Sequence, residues 1–422
     1  MTGFVLFGSF FLFMALTVPI GIALGLAGLI TALYSSNISI TFLSQGLVTS
    51  TDNFALMAIP FFILAGEIMG KGGISTRLFD LANVFVGRFT GGFAMAAVIT
   101  SMFFAAISGS GPATVAAVGG IMIPAMVAQG YDKKFATAVI VTSGSLGIII
   151  PPSIPMVLYG ISASQSIGDL FIGGIIPGIV IGIFIMIWAY FYSRKMGYKG
   201  TGEKFSFKRM LRAINSAKWS LLVPVIILGG IYGGIFTPTE AAVVAVIYAL
   251  VVSVFLHKEL KFSDFHQIFR NAALSSVAIL IIIGTANAFG TILSMERIPQ
   301  AVANAFLAVS ENEIVITLMI ILLLLVIGCF IDTSAAVIIF TPILFPVAMQ
   351  VGMDPIHFGV VMIVTLAIGF ITPPLGVNLF VGSGISGVSM PALIKAVIPF
   401  FFVMLIALIV IAVLPQLTLL FL

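Results

Sequence analysis

Long apolar stretches follow one another along almost the whole chain, with short polar connections between them. In the first half they lie at about 3–17, 19–34, 53–70, 92–128, 134–162 and 169–193, and in the second half at about 219–235, 238–256, 273–294, 313–350, 356–385 and 392–420. Several of these stretches have the ~20 residues that a helix needs to cross a bilayer. The pattern therefore predicts an all-α polytopic membrane protein.

The composition supports this fold class. The chain is 61% hydrophobic and 8% charged, against roughly 45–50% and 25% in soluble domains. The single cysteine, Cys329, excludes an intramolecular disulfide and a cysteine-based metal cluster. We expect no nucleic-acid partner, because the positions of the basic residues explain the net charge of +4 through membrane topology.

Two of the apolar stretches are interrupted by adjacent prolines. Pro151 and Pro152 lie within 134–162, and Pro373 and Pro374 lie within 356–385. A proline inside a helix removes a hydrogen bond and clashes with the preceding turn. In hydrocarbon such a break is tolerated only where protein or a water-filled cavity satisfies the backbone. Two broken helices at corresponding positions indicate a transporter binding site.

The second half repeats the first at an offset of 222 residues (373 minus 151). The matching pairs are Pro124 with Pro346, Pro177 with Pro399, Asp132 with Asp354, and the two double-proline breaks. We interpret residues 1–205 as a first repeat, 206–218 as a cytoplasmic connector and 219–422 as a second repeat.

Two further stretches, 92–128 and 313–350, are too long for one crossing. Small polar residues lie midway in each, at Ser108-Gly109-Ser110-Gly111-Pro112 and at Asp332-Thr333-Ser334. We predict that each stretch is a re-entrant hairpin. About five crossings and one hairpin per half is an odd number of crossings, so the two repeats should have inverted orientations.

The basic residues give the predicted orientation. The connector 194–218 is strongly basic, and cytoplasmic loops carry an excess of Lys and Arg. Counting crossings outward from this connector places all but Arg297 of the 18 basic residues on the cytoplasmic side. Both termini are then predicted to be periplasmic.

The hairpins and breaks carry the candidate chemistry. Helix N-termini attract anions and C-terminal carbonyls attract cations, so a hairpin tip beside a broken helix can hold a carboxylate and an alkali cation. Each half should build its own cation site. Asp332 could bind a cation, order the site or cap a helix, and Thr372 and Asn378 could coordinate or hydrogen-bond a ligand. The small residues at the tips could instead simply allow close helix packing.

Three classes of function remain open at this point. No Walker-type phosphate loop is present, so an ion gradient is the expected energy source for a transporter. The transporter could act in a complex or as a stand-alone carboxylate or ion carrier. An intramembrane enzyme is a remote alternative, because Asp332 has no second intramembrane aspartate and the three histidines lie in a predicted loop or at a segment end. Glu67 and Glu240 are interpreted as caps or interface anchors.

Five segments together resemble the large membrane subunit of the tripartite ATP-independent periplasmic (TRAP) transporters. They are Ile59-Pro60-Phe61-Phe62-Ile63-Leu64-Ala65-Gly66-Glu67, Ser108-Gly109-Ser110-Gly111-Pro112-Ala113-Thr114, Pro151-Pro152-Ser153, Thr237-Pro238-Thr239-Glu240 and Thr372-Pro373-Pro374. The resemblance implies a scaffold and a mobile, elevator-type transport domain in the bacterial inner membrane. It also implies sodium-coupled import of an organic acid, such as a four-carbon dicarboxylate or sialic acid, delivered by a periplasmic binding protein. Because the chain starts at the large subunit, a separate small four-helix membrane subunit is expected.

The resemblance also implies roles for particular residues. One sodium site would lie at Ser108, Gly147, Ile150 and Pro152, and the other at Gly328, Gly369, Thr372 and Leu375. Ser110, Ser153 and Asp332 match positions near the substrate, and we add Asn378 as a candidate substrate contact.

Overall fold

A computed structural model describes residues 2–35, 38–200 and 206–422, with only the backbone of residue 42. The described part of the chain is helical and contains no β-strand. The first half holds α1 Thr2–Ala15, α2 Ile20–Tyr34, α3 Ile40–Thr49, α4 Ala58–Lys71, α5 Ile74–Val86, α6 Gly92–Ser108, α7 Gly111–Ala128, α8 Lys133–Gly144, α9 Ile154–Ser162 and α10 Ile167–Met196. The second half holds α11 Phe207–Tyr232, α12 Pro238–Leu250, α13 Phe262–Met295, α14 Ile298–Leu307, α15 Glu313–Gly328, α16 Thr333–Gln350, α17 Pro355–Gly369, α18 Val377–Ser386, α19 Met390–Val413 and α20 Gln416–Leu419.

The predicted fold class is confirmed. Among the described residues, eight helical segments are long and apolar enough to cross a membrane. The count includes α7 and α16, which are the second arms of the predicted hairpins. It omits the two broken helices, because each break divides a stretch of membrane-spanning length into two short helices. It also omits α1 and α2, which have 14 and 15 residues.

Local sequence explains why the two broken helices begin where they do. The side chain of Asp132 accepts hydrogen bonds from the backbone N–H groups of Lys134 and Phe135, which caps α8. Asp354, its counterpart in the second half, caps α17 in the same way. Aspartate is a favoured N-cap, because its carboxylate satisfies N–H groups that have no partner within the helix.

Each broken helix then ends at its double proline. After α8 and a 3₁₀ turn at Ser145–Ile148, the chain is irregular until Ser153 caps α9. In the second half the irregular segment runs from the end of α17 to Gly376, which precedes α18 with a φ of +46°. The proline rings supply no N–H to continue a helix, so both helices stop at the same point of the repeat.

The structure differs from the sequence-based prediction in two places. The segment 206–218, which we interpret as a connector, is helical from Phe207 onward, because α11 begins there and not at the apolar residues near 219. The first turns of α11 are basic and exposed, so no apolar stretch marks the start of this helix. The helix α3 was not predicted, because Ser39, Ser44 and Gln45 dilute the hydrophobicity of its short segment.

Contacts between the two halves position the site. The second arm of the first hairpin, α7, packs against α8 of its own half and against α18 of the other. The second arm of the other hairpin, α16, likewise packs against α17 and against α9. Each broken helix therefore has its second piece held by the opposite hairpin. The helix α4 packs against α12 and α13, and it also contacts α6 of the first hairpin, while α13 contacts α16 of the second.

Candidate functional site

The tip of the first hairpin is a compact network of hydroxyl groups. The Oγ atom of Ser108 lies 2.9 Å from Oγ1 of Thr114, and that Thr114 hydroxyl donates to the carbonyl oxygen of Ser110 at 2.8 Å. Ser108 and Thr114 are almost fully buried. A buried hydroxyl that forms two hydrogen bonds holds the tip in one conformation, because a lost partner would leave a polar group unsatisfied.

The first break packs directly against this tip. A Cβ atom on Gly147 would lie 2.7 Å from Oγ1 of Thr114 and also against the Ser110 carbonyl oxygen, so only glycine fits there. A Cβ atom on Gly109 would likewise lie 2.9 Å from the carbonyl oxygen of Pro152. The structure thus brings Gly147 and Pro152 to the tip that carries Ser108.

Ile150, the fourth residue implied for the first cation site, lies in the same irregular segment. Its backbone N–H donates to the carbonyl oxygen of Leu146 at 2.9 Å, and its side chain packs against Gly178 of α10.

The second hairpin and the second break meet through backbone atoms. A Cβ atom on Gly369 would lie 2.6 Å from the carbonyl oxygen of Gly328. The N–H of Leu375 donates to the carbonyl oxygen of Cys329 at 3.0 Å. The hydroxyl of Thr372 donates to the Ile368 carbonyl oxygen of the preceding helix at 2.7 Å. The residues implied for the second cation site are therefore near one another as well.

A cavity of about 250 Å³ lies between the two hairpin tips. The hairpins contribute the polar residues Ser108, Ser110, Asp332 and Ser334 to its lining. The breaks and the residues beside them contribute Ile148, Ile154, Pro155 and Phe370. The opposite wall comes from Glu67 of α4 and from Ser275 and Ile279 of α13. No lysine, arginine or histidine is part of this lining.

Helix N-termini take the place of basic side chains around this cavity. The first residues of α7 and α9 are part of its lining, and Asp332 and Ser334 border the start of α16. The N–H groups of a first helical turn have no intrahelical acceptor and favour an anion. The side chains of Ser110, Ser153 and Asp332 already accept from one N–H group each of these turns, so the cavity combines partly capped helix starts with two carboxylates.

Asp332 has two roles in this geometry. Its Oδ2 atom accepts a hydrogen bond from the backbone N–H of Ser334 at 2.9 Å, so it caps α16. It also lines the cavity. Of the three roles that the sequence left open, the cap is observed, and a place in the lining is compatible with binding a cation or ordering the site.

Two of the candidate substrate residues lie outside the lining. Ser153 is fully buried, accepts a hydrogen bond from the Met156 N–H and caps α9. Asn378 is also fully buried, and its Nδ2 atom donates to the carbonyl oxygen of Val141 at 3.1 Å and to Oγ of Ser145 at 3.3 Å. Asn378 thereby ties the second broken helix to the first.

Sequence reasoning missed the wall formed by α4 and α13. Glu67 was interpreted as a cap or anchor, whereas it lines the cavity and accepts a hydrogen bond from Nδ2 of Asn271 at 3.3 Å. Asn271, Ser275 and Ile279 recur at intervals of four residues, which places them on one face of a helix. That periodicity could have indicated a polar face on α13, but nothing in the sequence shows which residues of other helices lie opposite that face.

Any cation held at the breaks would have oxygen ligands from carbonyl and hydroxyl groups. Among the described residues, no group of three or more His, Cys, Asp or Glu side chains could hold a metal ion. Carbonyl and hydroxyl oxygens are the ligands available beside Gly147 and Gly369, and hard alkali cations accept such ligands at unwound helix segments.

Comparisons with known proteins agree with this architecture. Residues 7–417 match the family described as "Tripartite ATP-independent periplasmic transporter, DctM component". The chain is 48% identical over 417 residues to the isethionate TRAP transporter permease protein DctMQ of Oleidesulfovibrio alaskensis. This match covers 99% of the chain, which spans 66% of the length of that relative.

Two other relatives match over most of both lengths. The C4-dicarboxylate TRAP transporter large permease protein DctM of Pseudomonas aeruginosa is 41% identical over 94% of the chain and 93% of its own length. The sialic acid TRAP transporter large permease protein SiaM of Vibrio cholerae is 38% identical over 95% and 94%. The crystal structure of the Alcanivorax borkumensis YdaH transporter shares the fold, with a TM-score of 0.64 and 16% identity over 96% of the chain and 97% of that structure.

Proposed function

The chain belongs to the DctM component family of tripartite ATP-independent periplasmic transporters, and from this premise we propose that it imports a small organic anion together with sodium ions. The relatives named above are described as permeases for isethionate, C4-dicarboxylates and sialic acid. A cavity of about 250 Å³ suits the two smaller anions better than a nine-carbon sugar acid. We therefore propose a short-chain carboxylate or sulfonate as the substrate.

The observation that carries this proposal is the charge of the cavity. It has two carboxylates, Asp332 and Glu67, and no basic residue in its lining. Like charges within several ångströms repel, more strongly in a medium of low dielectric constant than in water. An anion can enter only if helix N-termini and bound cations offset that repulsion. Cation sites at Gly147 and Gly369, next to the lining residues Ile148 and Phe370, would couple anion binding to sodium binding.

The two walls of the cavity support an elevator mechanism. One wall belongs to the hairpins and breaks, which interlock through contacts such as that of Asn378 with Val141. The other wall belongs to α4 and α13. We propose that the interlocked elements form the transport domain and slide as a unit along a scaffold that includes α4 and α13. The two repeats would have inverted orientations, with both termini in the periplasm.

The partners follow from the same premise. We propose that a periplasmic binding protein delivers the anion and that a small membrane subunit completes the complex. Isethionate, C4-dicarboxylate and sialic acid uptake should be compared in proteoliposomes that contain the chain, these partners and an inward sodium gradient. Uptake that persists without the binding protein would indicate a stand-alone transporter of the same fold. Uptake that is independent of sodium would contradict the coupling.

The variant Asp332→Asn tests the role of the cavity carboxylate. Asparagine is as good an N-cap as aspartate, so the free energy of unfolding should change by less than about 0.5 kcal/mol. Uptake should nevertheless fall at least about tenfold, because the negative charge that balances a cation is removed. Normal uptake would show that Asp332 serves only as a cap.

A further inference from the structure

A second cavity, of about 550 Å³, lies between α8, α10 and α19. It shares no lining residue with the cavity between the hairpin tips. Its lining consists of Asp132, Lys134, Phe135, Trp188, Tyr192, Ser389, Pro391, Ala392, Lys395, Ala396, Pro399 and Phe400. Lysines and aromatic side chains thus surround a space that the proposed transport function does not use.

The charges at this cavity, which we call the Lys134–Lys395 cavity, favour an anion. Lys134 lies in the first turn of α8 and Lys395 near the start of α19, so two ammonium groups approach from different helices. Within the described residues neither lysine forms an ion pair. Asp132 is the one acidic residue of the lining, and its Oδ1 atom is engaged by the Lys134 and Phe135 N–H groups.

The start of α19 adds a second attraction for an anion. Ser389 precedes this helix of 24 residues and lines the cavity, yet its hydroxyl forms no capping hydrogen bond. The positive end of the helix macrodipole therefore faces a cavity that already holds Lys395. A hydroxyl donor, a helix N-terminus and two ammonium groups are all groups that can bind a phosphate.

The aromatic residues place this cavity at the membrane boundary. Trp188 and Tyr192 lie one turn apart on α10, and both line the cavity. Such residues favour the level of the lipid headgroups, since their rings are apolar and their N–H or O–H groups are polar. The same two helices also carry exposed apolar side chains, which we call the apolar strip: Ile187 and Ile398 are 48% exposed, and Phe191 and Phe402 are 57% exposed.

We propose that the Lys134–Lys395 cavity binds the phosphate headgroup of an anionic phospholipid. The two lysines, Ser389 and the start of α19 would hold the phosphate, and the acyl chains would lie along the strip that includes Ile398 and Phe402. A free phosphate ion could bind the lysines equally well, but it has no apolar part that would cover the exposed strip. The predicted cytoplasmic position of both lysines agrees with the anionic surface of the inner leaflet.

The site has a structural consequence for transport. Because α8 packs against α19, a headgroup that contacts Lys134 and Lys395 would connect the first piece of a broken helix to the last long helix. The lipid would then travel with the proposed transport domain.

The two tryptophans of the chain, Trp188 and Trp219, make a direct test possible. Trp219→Phe leaves Trp188 as the only indole, and its fluorescence can be quenched by lipids with brominated acyl chains. Full-length protein would be reconstituted into phosphatidylcholine vesicles that contain brominated phosphatidylglycerol or brominated phosphatidylcholine at equal mole fraction. We expect the anionic lipid to quench more strongly, with an apparent preference of about tenfold or more, since each lysine near a headgroup contributes roughly fivefold.

Matched variants distinguish a site from general surface charge. In Lys134→Gln/Lys395→Gln the preference for phosphatidylglycerol should fall to about onefold, whereas Lys134→Arg/Lys395→Arg should keep it. The control pair Lys208→Gln/Lys258→Gln removes two exposed lysines away from the cavity and should also keep it. Equal quenching by both lipids in the parent chain, or an unchanged preference in the glutamine pair, would overturn the proposal.

A final arm separates the lipid from a soluble anion. Inorganic phosphate at millimolar concentration and constant ionic strength should neither shift the Trp188 emission in zwitterionic vesicles nor reverse quenching by phosphatidylglycerol. If phosphate does both, the cavity binds a soluble anion and the assignment to a lipid is wrong.

Discussion

The two double-proline breaks have the same sequence motif but different surroundings. Pro151 and Pro152 are buried, and every residue from 145 to 149 is buried with them. Pro373 and Pro374 are exposed, and Thr372 is half-buried. The first break is covered by α10 and by the hydroxyl network of its hairpin tip, whereas the second is joined to its tip mainly by backbone contacts. A shared motif therefore determines where the helix stops, and the packing determines how accessible the break is.

This difference suggests separate tasks for the two sites. A buried break that is tied by side-chain hydrogen bonds resists opening, because opening exposes polar groups that lose their partners. An exposed break that is held by fewer contacts can open at lower cost. We therefore expect the first site to act as the rigid part of the transport domain and the second to exchange its ion more readily.

The largest effects are expected from Gly147→Ala and Gly369→Ala. Each added methyl would meet a backbone or hydroxyl oxygen of the facing tip, and overpacking of this kind costs about 1–3 kcal/mol. Sodium-driven uptake should fall at least about tenfold in both variants. The melting temperature should drop further for Gly147→Ala, because its neighbours Ser110 and Thr114 are held by hydrogen bonds.

Gly384→Ala is the matched control, since nothing lies within 4 Å of a Cβ at that position of α18. Uptake and melting temperature should both stay close to those of the parent chain. Equal losses of stability in the Gly147 and Gly369 variants would contradict the proposal that the first break is more rigid than the second.

Moderate effects on two different quantities are expected from Thr114→Val, which should lower stability, and from Thr372→Val, which should change the sodium requirement. The buried Thr114 hydroxyl has partners in Ser108 and Ser110, so its removal should lower the free energy of unfolding by about 1–3 kcal/mol. The Thr372 hydroxyl bonds only within its own helix end, so its loss should hardly change stability. The Thr372→Val substitution should instead raise the sodium concentration that gives half-maximal uptake.

Chemical unfolding and sodium titrations of uptake measure these two quantities separately. An unchanged sodium requirement in Thr372→Val would count against the second cation site. A stability loss in that variant as large as in Thr114→Val would show that the second break is as tightly bound as the first.

The smallest effects are expected from exchanging the caps of α9 and α18. Ser153→Gly keeps a favoured N-cap residue but removes the buried hydroxyl that donates to the Ile148 carbonyl oxygen, so it should cost about 1 kcal/mol. Gly376→Ser places a side chain at a φ of +46°, close to Leu379, and should cost about 1 kcal/mol or more. Melting temperatures of the two variants compare them directly, and a larger loss for Ser153→Gly would mean that its side chain holds the first break closed.

Much of the fold could be predicted from the sequence because it depends on local rules. The tandem prolines at 151–152 and 373–374 end helices, because two successive residues lack an N–H donor, whereas a single proline such as Pro177 lies inside a helix. The aspartates at 132 and 354 begin helices by capping them. The convergence of Ser108 with Gly147, and of Gly328 with Gly369, was implied by family resemblance and lies at contacts in the structure. The helix α3 and the early start of α11 were missed, because neither is marked by a long apolar run.

The part of the site that sequence could not supply depends on contacts between distant segments. The chain by itself determined which segments are apolar, where they break and that the breaks recur in both halves, since these properties follow from residue types and spacing. Only the tertiary structure decided that Glu67 and Ser275 face Asp332 across one cavity, that Asn378 is bound to Val141 instead of lining that cavity, and that one break is covered while the other is exposed. The reason is that burial and contact are set by how separate helices pack, and no local pattern records which neighbour each face will meet.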